Sequence, residues 1–184
     1  MKGAIISSIL CFTLATGSIS VAQNTQVGGE PMYPNKDIVD NAVRSKEHTT
    51  LVAALKAADL VSTLKTKGPF TVFAPVNDAF ENLPAGTVDN LLKAENKGTL
   101  SSVLTYHVVP GKYDFQDLAS IIKKGNGKTI LKTVQGQELT LMMNGNHNIT
   151  VSDVAGNTAN ISTYDVYQSN GVIHVVDKVL MPKL

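Results

Sequence analysis

The 184-residue sequence contains no tryptophan and a single cysteine, Cys11, so no disulfide can form within the chain. Aromatic residues make up 5% of the sequence and charged residues 17%, whereas hydrophobic residues make up 43%. This composition is globular and excludes a disordered or collagen-like chain. The fold must therefore be stabilised by an apolar core, which a chain of this length is able to form.

The sequence also lacks an excess of either charge, with 16 lysines and arginines against 15 acidic residues. Removal of the first 22 residues deletes one lysine, Lys2, and no acid, so that 15 of each remain. A balanced surface has no general attraction for a phosphate backbone or for anionic lipid. Nucleic acid is therefore disfavoured as a partner.

No run of apolar residues is long enough to cross a bilayer comfortably, but the first residues resemble an export signal. Lys2 is followed by the apolar stretch 4–14, and Ser20 and Ala22 are small residues at the −3 and −1 positions before Gln23. The sequence predicts a Sec-type signal peptide at residues 1–22, cut after Ala22. It predicts a secreted, periplasmic or cell-surface protein with no integral membrane segment once the signal is removed.

Two parts of different character follow the predicted signal. Residues 23–35 are polar, contain Gly28-Gly29, Pro31 and Pro34, and are predicted to be a flexible leader. Residues 36–184 are predicted to be one domain without internal repeats. Its first half has mainly helical spacing, and its second half has short alternating runs separated by glycine and asparagine turns. This order predicts an α+β fold.

Three helix starts can be predicted from apolar spacing and capping residues. One helix is expected over residues 37–43. A second is expected over residues 51–58, capped by Thr49 or Thr50, with its apolar stripe continuing to Leu64. A short third helix carrying Phe80 is expected after a cap at Asn77 or Asp78.

Two apolar segments bracketed by glycine and proline lie about a hundred residues apart, at 68–80 and 170–182. In the first, residues 70–74 are expected to form a strand, which Pro75 ends because proline cannot donate to a sheet ladder. If the two segments pair, a contact between distant parts of the chain closes the fold.

These two segments, with Tyr106-His107 between them, resemble the signature motifs of the fasciclin-like (FAS1) domain family. The resemblance extends from about Asp37 to Leu184 and implies a wedge of two small β-sheets with helices packed around it. It implies a structural role for the following residues: Phe70, Thr71, Phe73, Ala74, Pro75, Asn77, Phe80, Asn170, Gly171, His174, Asp177 and Pro182.

The resemblance also suggests binding residues, because animal relatives use a Tyr-His pair and a motif before the second signature segment in integrin-type adhesion. Tyr106 and His107 are therefore candidates, although a structural role within the core is the alternative. At the place of the second motif this chain keeps only an aspartate and a β-branched residue, Asp165 and Val166. They are the other two candidates for contact with a partner.

Motifs for catalysis, metal or cofactor binding are missing from the sequence. No Gly-x-Ser-x-Gly elbow is present, and the four histidines lack zinc-site spacing. The segment 125–129 resembles the end of a phosphate loop, but Ile122 stands where its first glycine is required. His107 or His174 beside Asp78 or Asp177 is the one acid–base pair to consider, and we interpret it as a structural hydrogen bond. No enzyme activity, metal or cofactor is predicted.

The predicted function is non-catalytic adhesion or binding, with a protein or a polysaccharide at a cell surface or in a matrix as the partner. The alternative is an extracellular carrier of a small molecule or lipid, which would use a groove between the helices and the sheet. The sequence leaves the oligomeric state open.

Overall fold

The computed structural model describes residues 24–184, so the predicted signal peptide at 1–22 lies outside the described residues. Within them, no helix is both long and apolar enough to cross a membrane. The described helices are α1 (Ile38–Ala42), α2 (Thr49–Ala57), α3 (Val61–Leu64), α4 (Asn77–Glu81), α5 (Thr87–Leu91), α6 (Lys97–Tyr106) and α7 (Phe115–Lys124).

The strands are short except for one near the end of the chain. They are β1 (Gln26–Val27), β2 (Glu30–Pro31), β3 (Phe70–Pro75), β4 (Val108–Pro110), β5 (Lys128–Lys132), β6 (Glu138–Asn144), β7 (Asn148–Ser152), β8 (Thr158–Gln168) and β9 (Gly171–Val176). Helices dominate the first half and strands the second, so the predicted α+β class is confirmed.

Seven of the strands form one hydrogen-bonded sheet in the order β4-β3-β9-β8-β7-β6-β5. The two signature segments do pair, so a contact between distant parts of the chain closes the fold. Strands β3 and β9 are parallel and in register from Phe70 opposite Gly171 to Pro75 opposite Val176. Strands β5 to β9 are consecutive antiparallel neighbours, as the turn signals predict.

Strand β8 joins two halves of this sheet, because it is long and its pairing with β9 is interrupted by register shifts between Ile161 and Val166. Asp165, within this irregular part, has a φ of 57°. Bulges of this kind bend a strand. We call β3, β4, β9 and the end of β8 the signature half, and β5, β6, β7 and the start of β8 the hairpin half.

Strands β3 and β9 of the signature half are buried on both faces, whereas the hairpin half is buried on one. Every residue of β9 is buried, because Val175 faces a core formed with α1, α2 and α6 while Val176 faces a second core formed with α7. In β6, Leu139 and Leu141 are buried and Thr140 between them is not. This alternation is the pattern of a sheet with one solvent face.

The segment 23–35, predicted to be a flexible leader, is instead an ordered arm in its described part. Strands β1 and β2 form a hairpin whose turn uses Gly28 and Gly29, both with positive φ. Val27 and Met32 belong to the core formed with the helices. Gly28 and Gly29 were the reason to predict flexibility, but in the structure they form a tight turn. Val27 and Met32 anchor the hairpin to the core.

One local prediction is also wrong. Thr49 and Thr50 lie inside α2 and do not cap it from outside, since the helix begins at Thr49. The Tyr-His pair lies at the end of α6, where Tyr106 is the last helical residue and His107 is the C-terminal cap. Helical spacing from Leu100 to Leu104 continues to Tyr106, and this continuation could have been extrapolated from the sequence.

Candidate functional site

The two signature segments meet where β9 begins, and the approach of their backbones requires glycine. An atom in the Cβ position of Gly171 would lie 2.1 Å from the carbonyl oxygen of Phe70, which is well inside van der Waals contact. The same holds for Gly68, where a Cβ would lie 2.3 Å from the carbonyl oxygen of Asn170, and its φ is 61°. These glycines allow the two backbones to approach closely where the paired strands begin.

The side chain of Asn170 links three parts of the chain where β3 and β9 begin. Its Oδ1 accepts from the backbone N–H of Ile38 at 3.0 Å, at the start of α1. Its Nδ2 donates to the carbonyl oxygens of Leu64 and Thr66 at 2.7 and 2.9 Å, at the end of α3. Since Asn170 is buried, these bonds satisfy both of its polar atoms away from water.

Asn77 was predicted to cap α4, but its side chain caps a different helix. Its Oδ1 accepts from the backbone N–H of Thr50 at 3.0 Å, in the first turn of α2, and its Nδ2 donates to the carbonyl oxygen of Lys46 at 2.9 Å. The capping chemistry is the expected one, because an amide oxygen satisfies an N–H without a helical partner. Sequence alone does not indicate that the capped helix lies 27 residues earlier.

The other signature residues also lie in buried or hydrogen-bonded positions. The Thr71 hydroxyl donates to the carbonyl oxygen of Gly111 and accepts from the N–H of Tyr113. The Asp177 carboxylate accepts from the backbone and the side chain of Asn160 at 2.7 and 2.8 Å. The apolar signature residues are buried except for half-buried Phe70; they are Phe70, Phe73, Ala74, Pro75, Phe80 and Pro182.

His107 is buried and has a backbone partner on each ring nitrogen. Its Nδ1 lies 2.8 Å from the carbonyl oxygen of Val103, and its Nε2 accepts from the N–H of Leu180 at 3.0 Å. The second bond requires an unprotonated Nε2, so the ring is neutral with its proton on Nδ1. Burial lowers the pKa of His107 to about 4, because the charged ring would lose its hydration.

Tyr106 is fully buried beside it, with its ring edge towards the His107 ring and 6.5 Å between centroids. The hydroxyl donates to the carbonyl oxygen of Glu138 at 2.7 Å and accepts from the N–H of Val154 at 3.1 Å. Burial raises the pKa of Tyr106 to about 12. The hydroxyl therefore stays protonated at physiological pH and connects α6 to the hairpin half.

Asp153 completes this cluster, and sequence analysis did not identify it. Its carboxylate accepts from the N–H groups of Ala155, Asn157 and Met181 and from the side-chain amide of Asn157, at 2.9 to 3.1 Å. Asp followed by Gly and Asn within four residues is a turn signal that could have indicated this role. With His107, Asp153 anchors the segment after β9 to the core.

His174, in the middle of β9, is also bonded to a backbone group through each ring nitrogen, but its donor and acceptor nitrogens are the reverse of those in His107. Its Nε2 donates to the carbonyl oxygen of Tyr113 at 2.9 Å, and its Nδ1 accepts from the N–H of Asp165 at 3.4 Å. Its ring stacks on Phe73, with 5.8 Å between centroids. Burial lowers the pKa of His174 as well. Neither Asp78 nor Asp177 is hydrogen-bonded to His107 or His174, so the acid–base pairing considered from sequence is corrected.

Of the four candidate binding residues, three have buried side chains: Tyr106, His107 and Val166. The expectation that these side chains contact a partner is therefore corrected, because no partner can reach them in the folded domain. Asp165 is half-buried, and its Oδ1 accepts from the N–H of Phe115 at 2.7 Å, at the start of α7. The sequence motif marks a position of the fold, but it does not mark an exposed patch.

His48 differs from the other buried histidines, because one of its nitrogens has no partner. Its Nδ1 lies 2.9 Å from the hydroxyl oxygen of Ser45, whereas no group within the described residues bonds its buried Nε2. The ring lines an apolar cavity of about 30 Å³ between the N-terminal arm, α2 and the sheet, enough for one water. Burial lowers the pKa of His48.

The geometry described so far forms no reaction centre or metal site. Among residues 24–184, no three His, Cys, Asp or Glu side chains are grouped as metal ligands. The polar signature side chains are bonded mainly to backbone groups, and these bonds hold the paired signature segments to the elements around them.

Comparison with known proteins gives a consistent family assignment. The model of the fasciclin domain matches residues 46–182. Protein sll1483 of Synechocystis sp. is 46% identical over 147 residues, which are 80% of this chain and 74% of that protein. Immunogenic protein MPB70 of Mycobacterium bovis is 38% identical over 146 residues, covering 77% of this chain and 66% of MPB70.

Human periostin is 34% identical over 150 residues, which are 80% of this chain but 16% of periostin. A solved structure, the FAS1 domain pair from the insect cell adhesion molecule Fasciclin I, superposes with a TM-score of 0.71 at 19% identity. The match covers 80% of this chain and 51% of that one. This likeness confirms the predicted FAS1 fold.

Proposed function

Because the chain belongs to the fasciclin domain family, we propose that it is a secreted or cell-surface FAS1 module that binds a partner without catalysing a reaction. Its similarity to a domain pair of an insect cell adhesion molecule supports adhesion as the form of binding. The partner is a protein or a polysaccharide at a cell surface or in a matrix.

The observation that carries the non-catalytic part of this proposal is the bonding of the buried histidines. His107 and His174 each use both ring nitrogens for bonds to backbone groups. A general acid or base needs a nitrogen that can exchange a proton with a substrate. In His107 and His174 both ring nitrogens are already bonded to backbone groups, so neither nitrogen is free to exchange a proton with a substrate.

A single domain of this size needs several copies at one surface to adhere firmly. An interface of micromolar affinity contributes about 8 kcal/mol, which dissociates readily. Two or more linked or clustered copies convert later contacts into intramolecular ones and raise the avidity. We therefore expect adhesion to depend steeply on surface density.

The test uses residues 23–184, whose described part contains every helix and strand above. Binding of this chain to intact cells and to immobilised matrix polysaccharides and proteins is measured, with heat-unfolded protein as the control. We expect saturable binding that is lost on unfolding. Absence of binding to all of these surfaces would contradict the adhesion proposal.

Within residues 24–184, the apolar space between the helices and the sheet beside His48 is a candidate location for the carrier function. Its volume of about 30 Å³ is roughly a tenth of that of a small-molecule pocket. Native mass spectrometry of the purified protein tests this alternative, and a copurifying ligand would favour it over adhesion.

Export is the remaining part of the proposal. The proposed signal peptide predicts that the mature chain starts at Gln23. N-terminal sequencing of the protein recovered outside the cytoplasm tests this prediction. A chain recovered there with its first residue at Met1 would contradict cleavage after Ala22.

A further inference from the structure

One stretch of the chain concentrates positive charge, although the chain as a whole is balanced. From Leu118 to Gln137 there are four lysines and no acidic residue. We call these four the lysine run; they are Lys123, Lys124, Lys128 and Lys132. The run includes the glycine-rich segment 125–129, which is the turn between α7 and β5.

The fold places this charge along one edge of the sheet. Lys123 and Lys124 are in the last turn of α7, and Lys128 and Lys132 are the first and last residues of β5, the edge strand. Residues four apart in a strand point to the same side and lie about 13 Å from each other. All four lysines are exposed, and the ion pairs of the described residues use Lys46, Lys65 and Lys97 instead.

The lysines of β5 belong to the solvent face of the hairpin half. Pairing places two rows of side chains across β5, β6, β7 and β8 on that face. We call these eight residues the outer sheet face; its rows are Ile130-Thr140-Ser152-Thr158 and Lys128-Met142-Thr150-Asn160.

The outer sheet face is chemically suited to a chain of sugar rings. Five of its eight residues carry a hydroxyl or an amide, and Ile130 and Met142 are 52% and 45% exposed between them. Four strands span about 14 Å, which is the scale of a few sugar rings. Hydroxyl and amide groups both donate and accept hydrogen bonds, as the hydroxyls of a sugar do.

The positive charge beside this face favours acidic sugar chains over neutral ones. Two carboxylates border the face, Glu138 opposite Lys132 and Asp177 bonded to Asn160, so they partly balance their neighbours. Lys123, Lys124 and Lys128 have no acidic cross-strand or ion-pair partner in the described structure. Lysines also complement the C-terminus of a helix and discourage pairing at a sheet edge, but neither role neutralises their charge.

We propose that the outer sheet face and the lysine run bind a linear acidic polysaccharide, whose carboxylates or sulfate esters lie along the lysines while its hydroxyls contact the face. This inference rests on the proposed function and names its partner class. A single-stranded nucleic acid fits less well, because no aromatic side chain lies on the face to stack with bases. A membrane surface fits less well, since two apolar side chains do not form a broad apolar face.

The test compares two quadruple variants of residues 23–184 that remove the same charge. The first neutralises the lysine run with K123Q, K124Q, K128Q and K132Q. The matched control is K56Q, K67Q, K93Q and K178Q, four exposed lysines elsewhere in the chain. Binding to polygalacturonate, dextran sulfate and neutral dextran is measured at several salt concentrations.

We expect the chain to bind one or both acidic polymers and not neutral dextran, with affinity falling as salt rises. The first variant should lose about tenfold or more in affinity and most of the salt dependence, while the control variant binds within about twofold of the unchanged chain. The two acidic polymers distinguish carboxylate from sulfate recognition. Single-lysine variants give the same answer in smaller steps if a quadruple variant does not fold.

Three results would overturn the inference. Equal losses in both quadruple variants would show a general charge effect. No binding to either acidic polymer would remove the partner. Tighter binding to oligothymidylate or to vesicles of phosphatidylglycerol and phosphatidylcholine, with the same dependence on the lysine run, would assign the surface to another class of ligand.

The cell-binding assay separates this inference from the proposed function. If the first quadruple variant adheres to cells as well as the unchanged chain does, adhesion stands and the lysine run is excluded. If neither chain adheres, the proposed function itself fails.

Discussion

The two halves of the sheet differ in how their strands are buried, although they share strand β8. In the signature half, β9 lies between β3 and β8 and is buried on both faces. The side chain of Asn170, which precedes its first residue, bonds to the backbone of Ile38, Leu64 and Thr66. In the hairpin half, β5, β6 and β7 bury one face and leave the other to solvent. We therefore expect substitution to be least tolerated in the half that carries the family signature. The half without it has side chains free to contact a partner.

The largest effect is expected from adding one methyl group to a glycine of the signature half. Gly171→Ala places a Cβ 2.1 Å from the Phe70 carbonyl oxygen, so the strands must separate. We expect a loss of about 3 kcal/mol or more in the free energy of unfolding, measured by urea denaturation. Gly98→Ala, in α6 with no atom near its Cβ, is the control and should stabilise by about 0.5 kcal/mol. Equal effects would contradict the close approach.

Acid should weaken the signature half through its buried histidines. The unfolded chain binds a proton at His107 near pH 6.5, whereas the native protein does so only near the lowered pKa of about 4. Stability is therefore highest above pH 6.5 and falls by about 3 kcal/mol as the pH drops to about 4. The pKa values of His48 and His174 are lowered too, so they act in the same direction.

Urea denaturation between pH 7 and pH 4 measures this loss. The variant His107→Asn should be less stable at pH 7, because Leu180 or Val103 loses a partner, and its stability should fall less with acid. A variant whose stability fell as steeply as that of the unchanged protein would exclude His107 as the source.

Two Asn-Gly pairs offer a direct comparison of the halves. Asn170→Ala removes three bonds to the backbone of Ile38, Leu64 and Thr66, and we expect a loss of about 2 to 3 kcal/mol. Asn144→Ala, at the exposed end of β6 before a hairpin turn, should change stability by less than about 0.5 kcal/mol. Thermal melts of both variants test the pair, and a similar shift in both would remove the distinction.

A smaller effect is expected from the helix cap. Asn77→Ala leaves the N–H of Thr50 without its acceptor and should destabilise by about 1 kcal/mol. Asn77→Asp keeps the acceptor and should restore most of this loss. If the two variants melt together, the cap contributes little.

The smallest effect is expected on the outer sheet face. Thr140→Val exchanges a half-buried hydroxyl for a methyl group on a strand surface that favours β-branched residues. We expect stability within about 0.5 kcal/mol of the unchanged protein but weaker binding to an acidic polysaccharide. Unchanged binding would place the contact elsewhere in the hairpin half.

The fold was predictable from sequence wherever a pattern repeats or a motif is long. The two signature strands and the succession of hairpins followed from β-branched runs, glycine and proline, whereas the parallel direction in which β3 and β9 pair did not. The ordered arm was missed because Val27 and Met32 show no periodicity, and their burial depends on a surface built by distant residues. The same reason explains Asn77, since capping chemistry is local but the helix that it caps is chosen by tertiary structure.

The candidate site was harder to predict, because a family motif does not indicate whether its residues stabilise the fold or bind a partner. Tyr106 and His107 stand out in the sequence, but they are core residues. The lysine run has no motif beyond its composition. The position of Lys128 on the outer sheet face emerges only when the strand register places it beside Met142 and Thr150.

The position of β9 also bears on the order of synthesis. This strand lies in the interior of the sheet, between β3 and β8, yet it follows every other strand in the chain. A nascent chain lacking Gly171–Val176 has no ladder between those two strands, so the sheet closes only after this segment has emerged. Contacts between such distant residues also form slowly. Under the export proposed above, both delays keep the domain unfolded for longer, since β9 is the last of the described strands to be synthesised.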